Sequence, residues 1–101
     1  MSTIRFEILS SLAETLDDDL KGDRVILEQE TREGDTVRDI LHQFNTRYPR
    51  FVEVVFDVRA EKQTERVNIF LNGRNLELEN GLATQLHDGD TLTFVTPIIG
   101  G

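Results

Sequence analysis

One stretch constrains the fold more than any other. Val37, Ile40, Leu41, Phe44 and Tyr48 recur at i, i+3, i+4, i+7 and i+11, a single apolar stripe at helical period. Its start is marked by Glu33-Gly34-Asp35-Thr36. Asp35 or Thr36 can cap the first turn, and Asp39 stands three residues after Thr36, where a capping box places an acid. Its end is set at Pro49, because the residue before a proline avoids the helical region. Several stretches on either side of this helix alternate instead. A chain of 101 residues is one domain, so one amphipathic helix must find its cover on a sheet.

The alternating stretches supply that sheet. Ile4, Phe6 and Ile8 fall on one face of a strand over 3–9, with Thr3, Arg5 and Glu7 on the other. A polar, acidic connector over 10–23 carries Asp17-Asp18-Asp19 and turns at Gly22. A second strand follows over 24–30, with Val25 and Leu27 on one face. After the helix, 50–66 reads as a short turn or strand and then a charged surface loop. Val67, Ile69 and Leu71 point inward on a strand over 67–71, with Phe70 outward. Asn72-Gly73 is a hairpin turn, and 74–78 returns as a strand on which Leu76 and Leu78 alternate. Leu82 and Leu86 anchor a loop across the core, and Gly89-Asp90 turns into a last strand over 91–96, with Leu92 and Phe94 inward.

Two successive N-terminal strands make an antiparallel hairpin, and the last strand fits best beside the first at the sheet centre. The expected fold is α+β. It is a mixed sheet of four to five strands with one main helix on one face, the ubiquitin-like β-grasp arrangement. The domain is expected to span 1–96, with 97–101 a flexible C-terminal tail.

That tail is Pro97-Ile98-Ile99-Gly100-Gly101. Glycine lacks a Cβ, so such an arm passes through a narrow channel and leaves its terminal carbonyl open to attack. A frayed end is the plainer reading of the same residues. Composition limits the alternatives. A net charge of −8 repels phosphate backbones, which argues against direct nucleic-acid binding and for a partner with a basic docking face. The absence of cysteine removes disulfides, thiolate catalysis and cysteine-ligated metals. No apolar run is long enough to span a membrane, and no signal peptide is visible, so a cytoplasmic protein is expected.

Other candidate sites are weak. Adjacent acids such as Asp17-Asp18-Asp19 do not converge on one cation without a ligand-spaced loop, so no metal site is expected. His42 falls on the polar side of the helix and His87 in a turn, each without a visible partner. No phosphate-binding glycine loop is present.

The sequence resembles the small sulfur carriers of the β-grasp fold: the molybdopterin synthase small subunit, the thiazole-synthesis sulfur carrier and the small archaeal modifiers. Three stretches carry the likeness: Gly34-Asp35-Thr36-Val37 through Ile40-Leu41 to Arg47-Tyr48-Pro49; Val67-Asn68-Ile69-Phe70-Leu71-Asn72-Gly73; and Leu86-His87-Asp88-Gly89-Asp90-Thr91-Leu92, ending in Pro97-Ile98-Ile99-Gly100-Gly101. The acidic segment 10–23 and the loop 57–66 make the chain longer than a minimal carrier.

The resemblance implies a carrier and cosubstrate, not an enzyme. An E1-like partner spends ATP to adenylate the terminal carboxylate at Gly101, with Gly100 beside it. A carboxylate of pKa about 3.3–3.7 is ionised at neutral pH and a poor electrophile, hence the need for a leaving group. A sulfur donor then yields a thiocarboxylate for molybdopterin biosynthesis or tRNA thiolation, the acceptor being a molybdopterin synthase large subunit or a tRNA thiolase. The alternative is a ubiquitin-like modifier joined through Gly101 to lysines of target proteins. A third reading is a non-covalent adaptor. No cofactor is expected on the chain itself. Phe70 and Val95 on the open sheet face, with Pro97, Ile98 and Ile99, are the expected partner contacts, bordered by Arg5 and Ile26. The competing reading packs Phe70 beneath 50–66 as satellite core.

Overall fold

A computed structural model describes residues 2–9 and 24–96. The acidic segment 10–23, with Asp17-Asp18-Asp19, and the tail 97–101 lie outside the described residues. The elements in chain order are β1 (Ser2–Leu9), β2 (Arg24–Thr31), α1 (Val37–Asn45), α2 (Pro49–Val55), β3 (Phe56–Asp57), β4 (Lys62–Gln63), β5 (Asn68–Leu71), β6 (Arg74–Asn75) and β7 (Thr91–Val95).

The main sheet has five strands in the order β2-β1-β7-β5-β6. β1 and β2 form the expected antiparallel hairpin, in register from Ser2↔Thr31 to Leu9↔Arg24. β7 lies parallel to β1 and antiparallel to β5, so the last strand is central. This is an α+β, ubiquitin-like β-grasp fold with a mixed sheet.

α1 begins where its caps require. Thr36 Oγ1 accepts from the Asp39 N–H at 3.3 Å, and Asp39 Oδ2 accepts from the Thr36 N–H at 2.9 Å, a reciprocal capping box. Its stripe Val37, Ile40, Leu41 and Phe44 is fully buried. Phe6 of β1, Phe44 of α1, Phe51 of α2 and Phe94 of β7 pack into one aromatic cluster, with neighbouring ring centroids 4.4–5.6 Å apart.

Three expectations need correction. Pro49 does not merely stop a helix; it starts α2 at its first turn, where a missing N–H costs nothing. Segment 49–55 is therefore helical, not a turn or strand, and buries Phe51, Val52 and Val55. Tyr48 lies outside α1, which ends at Asn45, and is the residue before α2; its ring packs on Phe44 at 4.9 Å. The strand after Asn72-Gly73 is only Arg74–Asn75. Asn75 Oδ1 then caps the Glu77 N–H at 2.9 Å and starts a 3-10 turn over Leu76–Leu78. That turn buries Leu76 and leaves Leu78 74% exposed, so the two leucines do not alternate on a strand.

The 57–66 loop holds a two-stranded pairing of β3 and β4. His42 is half-buried rather than a bare surface residue: its ring stands edge-on to Phe56 at 5.1 Å, and its Nε2 is 3.0 Å from Glu61 Oε1. Glu61 also sits 3.2 Å from Arg38 Nε, so this carboxylate ties the loop to α1. No helix among the described residues is long and apolar enough to cross a membrane.

Candidate functional site: the open sheet face and the strand leading to the tail

The site is built on β7. Its neighbours on both sides fix it by backbone pairing, and its alternation divides its side chains between two environments. Leu92 and Phe94 are fully buried against the helices. Thr91, Thr93 and Val95 face the other way and are half-buried, on the side that carries no helix among the described residues.

Register assigns the rest of that open face. Phe70 of β5 stands opposite Thr93, and Val95 stands opposite Asn68. Phe70 and Val95 are thus diagonal neighbours on adjoining strands, the spacing at which long side chains touch. Both helices bury their apolar residues on the other side of the sheet, so Phe70 is not satellite core beneath 50–66. Thr93 faces Glu7 of β1, and Glu7 faces Ile26 of β2. Ile26, 46% exposed, is therefore three strands from Phe70 and does not border the Phe70–Val95 pair. Arg5 stands opposite Thr91 and Glu28, nearer the start of β7. Leu9 was not expected here. It follows Ile8↔Phe94 on β1, so alternation sets it on the open face toward Val95, where it is half-buried. The signal was available, because Leu9 breaks the polar side of the β1 alternation.

Charge frames this apolar group. Glu7, Glu28 and Glu30 share the open face with Arg5 and Arg24, and Arg24 Nη2 meets Glu7 Oε2 at 3.2 Å. An apolar cluster with a charged surround has the anatomy of an interface.

The entrance to β7 is locked by the turn before it. Asp88 Oδ1 accepts from the Thr3 N–H at 2.8 Å, Gly89 N–H donates to Thr3 O at 2.9 Å, and Arg5 N–H donates to Asp90 O at 2.8 Å. Asp90 Oδ2 accepts from the His87 N–H at 2.7 Å. His87 is an exposed turn residue, as expected. Gly89, at φ +86, supplies the left-handed position this turn needs. The strand is thus anchored at its start and leaves the described residues after Thr96. Pro97, Ile98, Ile99, Gly100 and Gly101, all expected site residues, lie beyond them.

The ThiS family model matches residues 12–101. The chain belongs to the ThiS family. It is 30% identical over 69 residues to the sulfur carrier protein CysO of Mycobacterium tuberculosis, covering 67% of this chain and 74% of that protein. The solution structure of small archaeal modifier protein 1 from Methanosarcina acetivorans superposes with a TM-score of 0.71 at 26% identity, over 100% of this chain and 98% of the other. A putative molybdopterin converting factor subunit 1 from Pyrococcus furiosus gives 0.70 at 26% identity, over 97% of this chain and 100% of the other. This ThiS-family chain is accordingly a ubiquitin-like β-grasp protein of the sulfur-carrier group.

Proposed function

We propose that this chain carries sulfur on the carboxyl group of Gly101. An E1-like partner activates that group with ATP: a carboxylate oxygen attacks the α-phosphorus and pyrophosphate leaves. A donor at the oxidation level of sulfide then attacks the acyl carbon, AMP departs with the C–O bond, and a thiocarboxylate remains. The chain contributes no catalytic group to either step. Its own residues present the tail and dock the partner, with Phe70, Val95, Pro97, Ile98 and Ile99 in contact. The sulfur goes on to a molybdopterin-type or tRNA-thiolating acceptor, and the partner carries any nucleotide or nucleic acid.

One observation carries this reading: the family match runs through Gly101, and the curated relative it resembles is a sulfur carrier. The test is intact-mass spectrometry after incubation with the activating enzyme, ATP and sulfide. The expected result is a mass gain of one sulfur-for-oxygen exchange, localised to Gly101. Extending the chain by one residue past Gly101 should abolish it. A normal gain in the extended protein would overturn the proposal.

The 26% likeness to an archaeal modifier favours a second reading, in which a lysine of a target protein attacks the same adenylate. Its signature is a glycine remnant on target lysines with no sulfur on the free chain. The chain itself offers only Lys21 and Lys62 as acceptors.

A further inference from the structure

β2 is an edge strand. It is eight residues long, contains no proline or glycine, and runs beside β1 without a bulge. Among the described residues no strand pairs with its outer side. Long regular edges of this kind are templates for pairing with another chain.

Neighbouring bonds show which backbone groups point outward. Arg5 N–H donates to Asp90 O, and Thr3 O accepts from the Gly89 N–H, so the odd residues of β1 turn their backbone toward β7. Its even residues then bond β2 through the pairs Ile4↔Gln29, Phe6↔Leu27 and Ile8↔Val25. On β2 the groups left facing outward therefore belong to Arg24, Ile26, Glu28 and Glu30. Among the described residues the Glu30 carbonyl accepts from its neighbour's side chain, Gln29 Nε2 at 3.1 Å.

We infer that this edge pairs with itself: two copies join β2 to β2, antiparallel about a two-fold axis at Leu27. Arg24 of each copy then stands opposite Glu30 of the other, and Ile26 opposite Glu28. All four residues with outward N–H and C=O groups become hydrogen-bonded pairs across the axis. Side chains keep their faces, because only even residues meet even residues. The strand reads Arg-Val-Ile-Leu-Glu-Gln-Glu from 24 to 30, basic at one end and acidic at the other, so antiparallel pairing matches opposite charges. Parallel pairing at zero offset opposes Arg24 to Arg24. Sliding the register two residues one way opposes Glu28 to Glu28; sliding it the other way drops Glu30 from the pairing. Half-buried Leu27 meets its own copy at the axis and gains cover.

The contact is small, so the dimer is weak. Each copy also carries a net charge of −8, which opposes association at low ionic strength. Salt at about 0.15 M screens that long-range repulsion more than the close Arg–Glu pairs. The phenylalanine–valine group on the open face, two strands and more away, stays uncovered.

The experiment is sedimentation velocity of the full chain up to millimolar concentration, on wild type and three variants. Wild type is expected to dimerise reversibly. Ile26→Pro removes one outward N–H without touching a bond to β1, a substitution edge strands tolerate. It should weaken association about tenfold or more, because the bond is lost twice. Arg24→Glu and Glu30→Arg should each weaken it alone, and mixing the two should restore it as a heterodimer. Glu30→Arg is the sharpest case. It lowers the net charge from −8 to −6 by replacing one negative with one positive, so general repulsion predicts tighter association, whereas this register predicts weaker. Both charge variants alter exposed side chains, and circular dichroism checks that they fold. A wild type that stays monomeric at millimolar concentration overturns the inference. So does a dimer indifferent to Ile26→Pro, or charge variants that do not rescue each other.

Discussion

Asn72 and Asp90, eighteen residues apart, clamp two turns together at one end of the sheet. Asn72 Nδ2 donates to Asp90 Oδ1 at 2.9 Å, and the Thr91 N–H donates to Asn72 Oδ1 at 2.9 Å. The Asn72 N–H reaches Thr91 O at 2.9 Å. Asn72 also holds φ +51, followed by Gly73 at +85, the left-handed pair of a tight hairpin. One residue therefore shapes the β5–β6 turn and fixes the start of the strand that leads to the tail. Asn72→Gly keeps the backbone freedom and loses both side-chain bonds, so a loss of about 1–3 kcal/mol is expected. Asn72→Ala adds a left-handed alanine and should cost about 1 kcal/mol more. Urea unfolding of the two variants checks the order; equal losses would show that turn strain is not part of the effect.

The capping box makes a separate claim. Thr36→Ala removes the acceptor of the Asp39 N–H and leaves the Thr36–Asp39 reciprocity half made. A loss of about 1 kcal/mol is expected, read from the urea midpoint at unchanged m. Thr36→Ser should recover most of it. The same stability for Thr36→Ala and wild type would mean that α1 is held by packing alone.

The features legible in the sequence were those with a local physical cause. The β1 alternation, the Thr36 cap, the α1 stripe from Val37 to Phe44 and the Asn72-Gly73 turn each act within a few residues, and the structure has all four, with Tyr48 falling beyond the helix. Placing β7 beside β1 followed from its apolar alternation and from economy of connection. What escaped was decided by competition. Pro49 both terminates and initiates helices, and Phe51-Val52 with Val54-Val55-Phe56 satisfies strand propensity as well as a helical turn. The helix is the arrangement in which Phe51 meets both Phe44 and Phe94 edge-on. Leu76 and Leu78 suggested a strand, but Asn75 capped a 3-10 turn instead. On the candidate site, Phe70 and Val95 were readable from alternation. Leu9 was readable too, since it breaks the polar side of β1; the separation of Ile26 was not, because it depends on strand order across the sheet.

Phe51 carries the second helix. It is fully buried, and its ring meets Phe44 at 5.6 Å and Phe94 at 5.2 Å, both edge-on. Phe51→Ala should cost about 3–5 kcal/mol through lost transfer energy and a residual cavity. For a domain of this size that is a large share of total stability. Phe51→Leu keeps most of the volume and should cost distinctly less. Thermal unfolding separates them. If both variants lose the same amount, edge-on ring contacts rather than filled space hold α2 in place.

The partner contact yields the final prediction, and kinetics can isolate it. Val95 and Phe70 lie on the open face, away from the helices, so polar replacements there should disturb binding more than folding. If this pair anchors an activating enzyme, Val95→Asp should raise KM for the carrier in adenylation by about thirtyfold or more, the size of an anchor residue's loss. The kcat should stay near wild type, because the contact is the same before and during the reaction. Phe70→Ala should do likewise. Changes at Gly100 are expected to act on kcat instead, since they move the reacting carboxyl group itself. The Arg5 side chain, one row along the same face, serves as the comparison: Arg5→Ala should leave KM within a few-fold. Pyrophosphate release measured over a range of carrier concentrations gives both constants. A folded Val95→Asp protein with an unchanged KM would remove this face from the docking surface and leave the tail as the only contact.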